Sequence, residues 1–133
     1  MSTLSVATIK SASSAAPVFQ NSSGTEKGQL AKAWINFDGS GVIGIRDSFN
    51  ISSITDNATG EYTVTLDTAM SDANYSIVQG LKSPLANRNT FCCLGGSNEN
   101  NPSTTAFQIV TCGSTNNSMT DANYIMAAVY GDN

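Results

Sequence analysis

Turn-forming residues divide the chain from Lys32 onward into short segments of about ten residues, and this regular punctuation is what most limits the possible fold. Within the segments, apolar residues do not recur at the spacing of three and four that a helix requires. The clearest segment is 61–67, where Tyr62, Val64 and Leu66 alternate with polar residues at the period of two expected of a half-buried strand. Short strands between evenly spaced turns are typical of a β-sandwich or a β-barrel.

The same signals predict further strands, and composition agrees with them. The 18 Ser, 14 Thr and 14 Asn make up about a third of the 133 residues, which favours turns and half-buried strands over helices. The segment 38–41 reads Asp-Gly-Ser-Gly and predicts a hairpin turn, and residues 56–60 predict a second turn. We therefore predict an all-β fold, an antiparallel β-sandwich of jelly-roll-like type over residues 31–133, with additional strands at 33–37, 42–46, 75–78, 90–94, 106–111 and 124–130.

The first thirty residues have too few bulky apolar side chains to bury a core of their own. The turn-forming residues at 21–24 and 28 mark a boundary between this segment and the sandwich. We predict that residues 1–30 form an extended N-terminal arm for assembly or attachment, which packs on a neighbouring subunit or a partner protein. Its candidate contact residues are Leu4, Val6, Ile9, Val18 and Phe19.

Charge and the absence of histidine exclude several classes of function. A net charge of −4 leaves no basic face for nucleic acid or anionic lipid, so neither nucleic acid nor a membrane is an expected partner. Without histidine the chain cannot build a Ser-His-Asp or Cys-His catalytic site or most catalytic zinc sites. No phosphate-binding loop or dinucleotide motif is present either. We expect no enzymatic activity and no cofactor or metal, although a pair of carboxylates acting as a hydrolase and a calcium loop at residues 56–61 stay open as minor alternatives.

Three cysteines and one repeated hexapeptide have mainly structural interpretations. Cys92 and Cys93 are adjacent, so at most one of them could face Cys112 across a sheet, and we expect all three to be small buried hydrophobic residues.

The sequence Met-Ser-Asp-Ala-Asn-Tyr at 70–75 recurs as Met-Thr-Asp-Ala-Asn-Tyr at 119–124. Each copy predicts a turn that leads into a strand, with Met at the edge of the core, although a ligand site that pairs the two aspartates is an alternative.

The polar stretch 83–105 is the most suggestive candidate binding surface in the sequence. Amide, guanidinium and carboxylate groups on a loop can hydrogen-bond sugar hydroxyls, although an ordinary solvated loop explains the same residues. Carbohydrate sites usually need an exposed aromatic platform, and here only Phe91 is near and is expected to point inward. The candidate receptor-contact residues are Asn87, Arg88, Asn89, Asn98, Glu99 and Asn100.

Several segments of the chain resemble a module found in phage tail-fibre and related virion proteins. The resemblance rests on AKAWINFDGSG at 31–41, IRDSFNISSITDN at 45–57, GEYTV at 60–64 and MSDANY at 70–75. The opening LSVATIKS at 4–11 is similar to the short lead-in of such fibres. The likeness covers roughly residues 1–78 and names a class of structural modules, not an activity.

This resemblance implies a non-enzymatic virion structural protein, a tail-fibre or tail-associated component that is assembled in the host bacterial cytoplasm. Its implied partners are further copies of itself, commonly in a trimer, other virion proteins and a host-surface glycan. We expect neither a repeat shaft nor a large attachment domain before the module, so a capsid decoration protein (cement or head fibre) is an alternative. A carbohydrate-binding module is an alternative of another class, disfavoured by the absence of a signal peptide and of an expected aromatic platform.

Overall fold

The computed structural model describes residues 4–10, 17, 19–82, 90–95, 102–113 and 118–131. Within these ranges all regular elements are β-strands, and none is a helix that could cross a membrane. The chain divides into an N-terminal unit, residues 1–30, and a sandwich unit, residues 31–133.

The N-terminal unit contains one short hairpin, made by β1 (Phe19–Gln20) and β2 (Glu26–Gly28). Its turn is held by Asn21, whose Oδ1 accepts the backbone N–H of Thr25 at 2.8 Å. The candidate arm residues Leu4, Val6, Ile9 and Phe19 are 45–80% exposed, and Val18 lies outside the described residues. Their packing on a neighbouring subunit stays a prediction.

Two four-stranded antiparallel sheets form the sandwich unit, as the sequence predicted. Sheet 1 has the strand order β4-β3-β10-β7, and sheet 2 has the order β5-β6-β9-β8. This order does not establish the jelly-roll-like connectivity. The strands are β3 (Ala33–Asp38), β4 (Gly44–Phe49), β5 (Ile51–Ala58), β6 (Glu61–Leu66), β7 (Ser76–Lys82), β8 (Thr90–Leu94), β9 (Ala106–Gly113) and β10 (Tyr124–Tyr130).

The core lies between the sheets and is supplied mainly by the four central strands. Alternate residues of β3, β6, β9 and β10 point inward, so the period of two in the sequence becomes the buried face of each sheet. Phe37 of sheet 1 meets Tyr62 of sheet 2 edge to face, with 5.2 Å between ring centroids. Each large side chain buried in this way stabilises the fold by about 1.5–3 kcal/mol.

A single residue carries the chain from sheet 1 to sheet 2. Asn50 joins β4 to β5 with a φ of 56°, a left-handed conformation that asparagine tolerates better than most residues. Its side chain donates to the carbonyls of Lys32 (3.0 Å) and Thr68 (3.2 Å) and accepts the N–H of Thr68 (2.6 Å). These bonds tie the beginning of β3 and the end of β6 to the same corner.

Most of the strand predictions are confirmed, and the turn predicted at 56–60 is wrong. The strands predicted at 90–94 and 124–130 have the observed bounds. The strand predicted at 106–111 continues to Gly113, the one predicted at 75–78 is Ser76–Lys82, and the one predicted at 42–46 is shifted to Gly44–Phe49. In contrast, β5 runs through Ala58, and only Thr59 and Gly60 make the turn. The sequence did not predict β5, because this strand lies at the edge of sheet 2 and most of its side chains face solvent. Such a strand does not need the alternation of apolar and polar residues by which strands are recognised.

Candidate functional site

A line of apolar side chains crosses the solvent-facing side of sheet 1. Phe49 of β4 lies opposite Trp34 of β3, which lies opposite Ala128 of β10, which in turn lies opposite Val78 of β7. Directly paired residues of this kind have side chains about 5 Å apart, so the four form one continuous row. Phe49, Trp34 and Val78 are 54%, 37% and 61% exposed. We call these four residues the apolar row.

Further apolar side chains widen the row into a patch. Met126 and Tyr130, on either side of Ala128 along β10, are both exposed on the same side of the sheet. Tyr124 adds a third exposed ring at one end of β10. From their exposed fractions and aromatic areas of about 150–250 Å² per side chain, the patch amounts to roughly 500 Å². The largest apolar patch of a typical monomer is about 300–600 Å² and is often functional.

Charged groups gather around Tyr124 at one end of the patch. The Arg46 guanidinium carbon lies 4.1 Å from the Tyr124 ring centroid, and Lys82 Nζ lies 5.3 Å from it, so both cations can interact with the ring. Arg46 also donates to Asp38 Oδ2 at 2.6 Å and to the carbonyl of Asn123 at 2.7 Å. Arg46 can reach this side because it is the extra residue of a bulge in β4.

The carboxylate of Asp38 is kept ionised by its neighbours. Hydrogen bonds from the hydroxyl and the backbone N–H of Ser40, at 2.6 and 3.0 Å, together with the charge of Arg46, lower the pKa of Asp38 below its ordinary value. Asp38 and Arg46 therefore form a surface ion pair beside Tyr124.

We call this solvent-facing side of sheet 1 the outer face. The charged side chains that the described strands β3, β4, β7 and β10 place on it sum to zero, in a chain of net charge −4. Strand alternation places Asp38 and Asp47 on it, and the contacts with Tyr124 place Arg46 and Lys82 there. The β3–β4 side carries both carboxylates and Arg46, so it has one net negative charge. The β7 side carries Lys82 and has one positive charge.

Sequence reasoning missed the outer face, and it was wrong to expect no exposed aromatic platform. The available signal was a run of apolar residues without alternation: Tyr124–Tyr130 contains no charged residue and no amide, and Trp34 stands between Ala33 and Ile35. A strand apolar on both faces needs cover on both faces. Here the second face is exposed to solvent.

The structure does not describe the loop that the sequence favoured. The candidate receptor-contact residues Asn87, Arg88, Asn89, Asn98, Glu99 and Asn100 all lie outside the described residues. Their neighbour Phe91 is described, and the expectation that it points inward is wrong, since it is 43% exposed. Phe91 is on β8 of sheet 2, opposite Cys112 of β9.

The cysteines are free thiols, and only part of the expected burial is confirmed. Cys112 is buried, Cys92 is half-buried and Cys93 is exposed. Cys93 lies opposite Val110, so neither of the adjacent cysteines faces Cys112 directly. Burial raises the pKa of the Cys112 and Cys92 thiols, which keeps both protonated at neutral pH.

The two copies of the repeated hexapeptide play different structural parts. Met70 is buried at the edge of the core as predicted, whereas Met119 is exposed. Asp72 accepts the backbone N–H of Asn74 within its own turn, at 2.7 Å. Asp121 instead reaches across the fold, and its partners lie at the turn between β5 and β6.

Asp121 is the centre of a partly buried polar network. Its Oδ1 accepts the backbone N–H of Gly60 at 2.7 Å and lies 3.0 Å from the hydroxyl of Tyr62. That hydroxyl also donates to the carbonyl of Gly39 at 2.9 Å. These hydrogen bonds connect the β5–β6 turn and the loop between β3 and β4 to the segment before β10. The role of the network is therefore structural.

Other chemistry is not visible in the described part of the chain. No group of three or more His, Cys, Asp or Glu side chains able to hold a metal ion occurs among the described residues. Comparisons with protein-family models, curated proteins and solved structures find no match to this chain.

Proposed function

We propose that this protein is a non-enzymatic structural component of a bacteriophage virion, of the tail-fibre or tail-associated type, which works as a homo-oligomer. The observation that carries the proposal is the outer face, where Trp34, Phe49 and Val78 form a flat apolar row that is exposed in the single chain. Such a surface on a rigid sheet is suited to docking and offers no reactive group. The resemblance to virion modules supplies the setting in which the docking occurs.

The proposal places the protein in the virion, after assembly in the host bacterial cytoplasm. Immunogold electron microscopy of intact particles tests it directly, with antibody raised against the purified chain. Label on the tail or its fibres is the expected result. Label on the head would favour the capsid decoration alternative, and particles without label would refute the proposal.

A carbohydrate-binding function is a second candidate, and the apolar row favours it more than the sequence did. Exposed rings of Trp34 and Phe49 lie side by side on a sheet, beside the polar side chains of Asn36 and Asp47. Flat aromatic surfaces with nearby hydrogen-bonding groups suit the apolar faces and hydroxyls of sugar rings. A glycan array probed with the wild-type chain and with Trp34→Ala tests the second candidate. Binding that requires Trp34 would support glycan recognition at this surface.

A further inference from the structure

The outer face has two sides that complement each other better than either side complements itself. On the β4 side, Phe49 ends the apolar row and Asp47 lies two residues away along the strand. On the β7 side, Val78 ends the row and Lys82 lies further along. Two β4 sides brought together would bring the Asp47 carboxylates of both copies into one contact, and two β7 sides would do the same with the Lys82 ammonium groups. Like charges placed opposite each other destabilise a contact.

We propose that the outer face of sheet 1 binds a second copy of this chain, with the β4 side of one copy against the β7 side of the next. This inference rests on the proposed function and names the surface that joins the copies. In this arrangement Phe49 packs against the neighbouring copy's Val78, and Asp47 approaches the neighbouring copy's Lys82. Trp34 lies near the middle of the contact.

The size of the face agrees with a self-association surface. A stable interface buries about 800 Å² on each partner, with an apolar centre and a polar rim. The apolar patch supplies roughly 500 Å² of this. The polar side chains of Asn36 and Asp47 and the group around Tyr124 are placed to supply the rim.

Charge favours a second copy as the occupant. The chain as a whole carries −4, so most pairs of surfaces on two copies repel each other. The described strands of sheet 1 place two carboxylates and two cations on the outer face, so these groups impose no net charge penalty when two such faces approach. A β4-to-β7 contact adds attraction between Asp47 and Lys82.

The test is a charge-reversal cycle on the full chain, read by sedimentation equilibrium from about 1 to 100 μM. Asp47→Lys and Lys82→Glu should each weaken association roughly tenfold, and the double variant should return to within about threefold of the wild type. Both side chains are exposed, so neither change disturbs the core. A double variant as weak as the single variants would overturn the proposed arrangement.

A matched pair of apolar-to-charged changes tests the surface itself. Val78→Glu should weaken association by about tenfold or more, because it buries a carboxylate in the contact. Val42→Glu is the control, since Val42 is 95% exposed in the loop between β3 and β4. Circular dichroism confirms that each variant is folded. An oligomer that responds equally to both changes, or a wild type that stays monomeric at 100 μM, would overturn the inference.

These outcomes are separable from the fate of the proposed function. A chain that is monomeric in solution but labels phage particles overturns the self-association surface and leaves the virion role standing. An oligomer that depends on Val78, together with particles that carry no label, supports the self-association surface and overturns the virion role.

Discussion

Replacing Asp121 by alanine should destabilise the fold far more than the same change at Asp72, although both occupy the same position in a repeated hexapeptide. Asp121 is the acceptor for the buried N–H of Gly60 at 2.7 Å and a neighbour of the buried hydroxyl of Tyr62. Removing the carboxylate leaves the Gly60 N–H without its acceptor, while Tyr62 can still donate to Gly39. A hydrogen bond to a charged group that is lost in a buried place costs about 2–3 kcal/mol.

Asp72 is the internal control because it caps an exposed turn. Its exposed bond to the N–H of Asn74 can be replaced by water, so Asp72→Ala should cost about 0.5–1 kcal/mol. With a urea dependence of about 1–3 kcal/mol per molar, Asp121→Ala should lower the unfolding midpoint by roughly 1–2 M. Asp121→Asn keeps an acceptor oxygen and should recover more than half of the loss.

The measurement is urea unfolding followed by far-ultraviolet circular dichroism at a concentration below the range in which the chain associates. The dependence of the free energy of unfolding on urea concentration must be the same in all variants, so that a shift in the urea midpoint reports a change in stability alone. Equal midpoints for Asp121→Ala and Asp72→Ala would refute the reasoning, since the structure gives the two carboxylates unequal partners.

Three further predictions concern a turn, a buried phenol and the thiols. In a urea titration, Gly60→Ala should lower the free energy of unfolding by about 3 kcal/mol or more, and Gly41→Ala should lower it by only about 1 kcal/mol. Both have positive φ, but only at Gly60 would a Cβ meet backbone atoms, at 2.6 and 2.8 Å. Burial raises the pKa of Tyr62 above its usual value, so its contribution to stability is complete below about pH 10 and is lost as the pH rises further. The free energy of unfolding, measured from pH 8 to 11, should therefore fall more steeply with pH in the wild type than in Tyr62→Phe. Parallel pH profiles for the two proteins would contradict this. A thiol reagent should modify exposed Cys93 at least about tenfold faster than buried Cys112 in the native chain, and equal rates would count against the described burial.

The sequence predicted best those parts of the fold in which one face is buried and the other is polar. Residues 61–66 alternate cleanly, and the strand is found there with Tyr62, Val64 and Leu66 in the core. Edge strands such as β5 escape this reasoning because their side chains are mostly in water on both faces. Sheet order was equally out of reach, since β10 pairs with β3 and β7 through contacts that no local pattern encodes.

The candidate site was missed for the opposite reason. In β10 both faces are apolar, and a run such as Ile125, Met126 and Ala127 predicts a strand without showing which side chains face solvent. Only the register shows that Met126 lies outside while its two neighbours lie inside. The repeated hexapeptide predicted the same role for both copies, but Met70 is buried and Met119 is exposed. Identical residue types acquire different partners once the surrounding strands are in place.

The placement of β10 links folding to recognition. It pairs with β3 on one side and with β7 on the other, so Trp34 and Val78 belong to one row only when Ala128 lies between them. Before β10 docks, neither the closed core nor a continuous docking surface exists. A chain in which β10 is displaced therefore lacks the continuous row, and in the proposed assembly such a chain would not join finished copies.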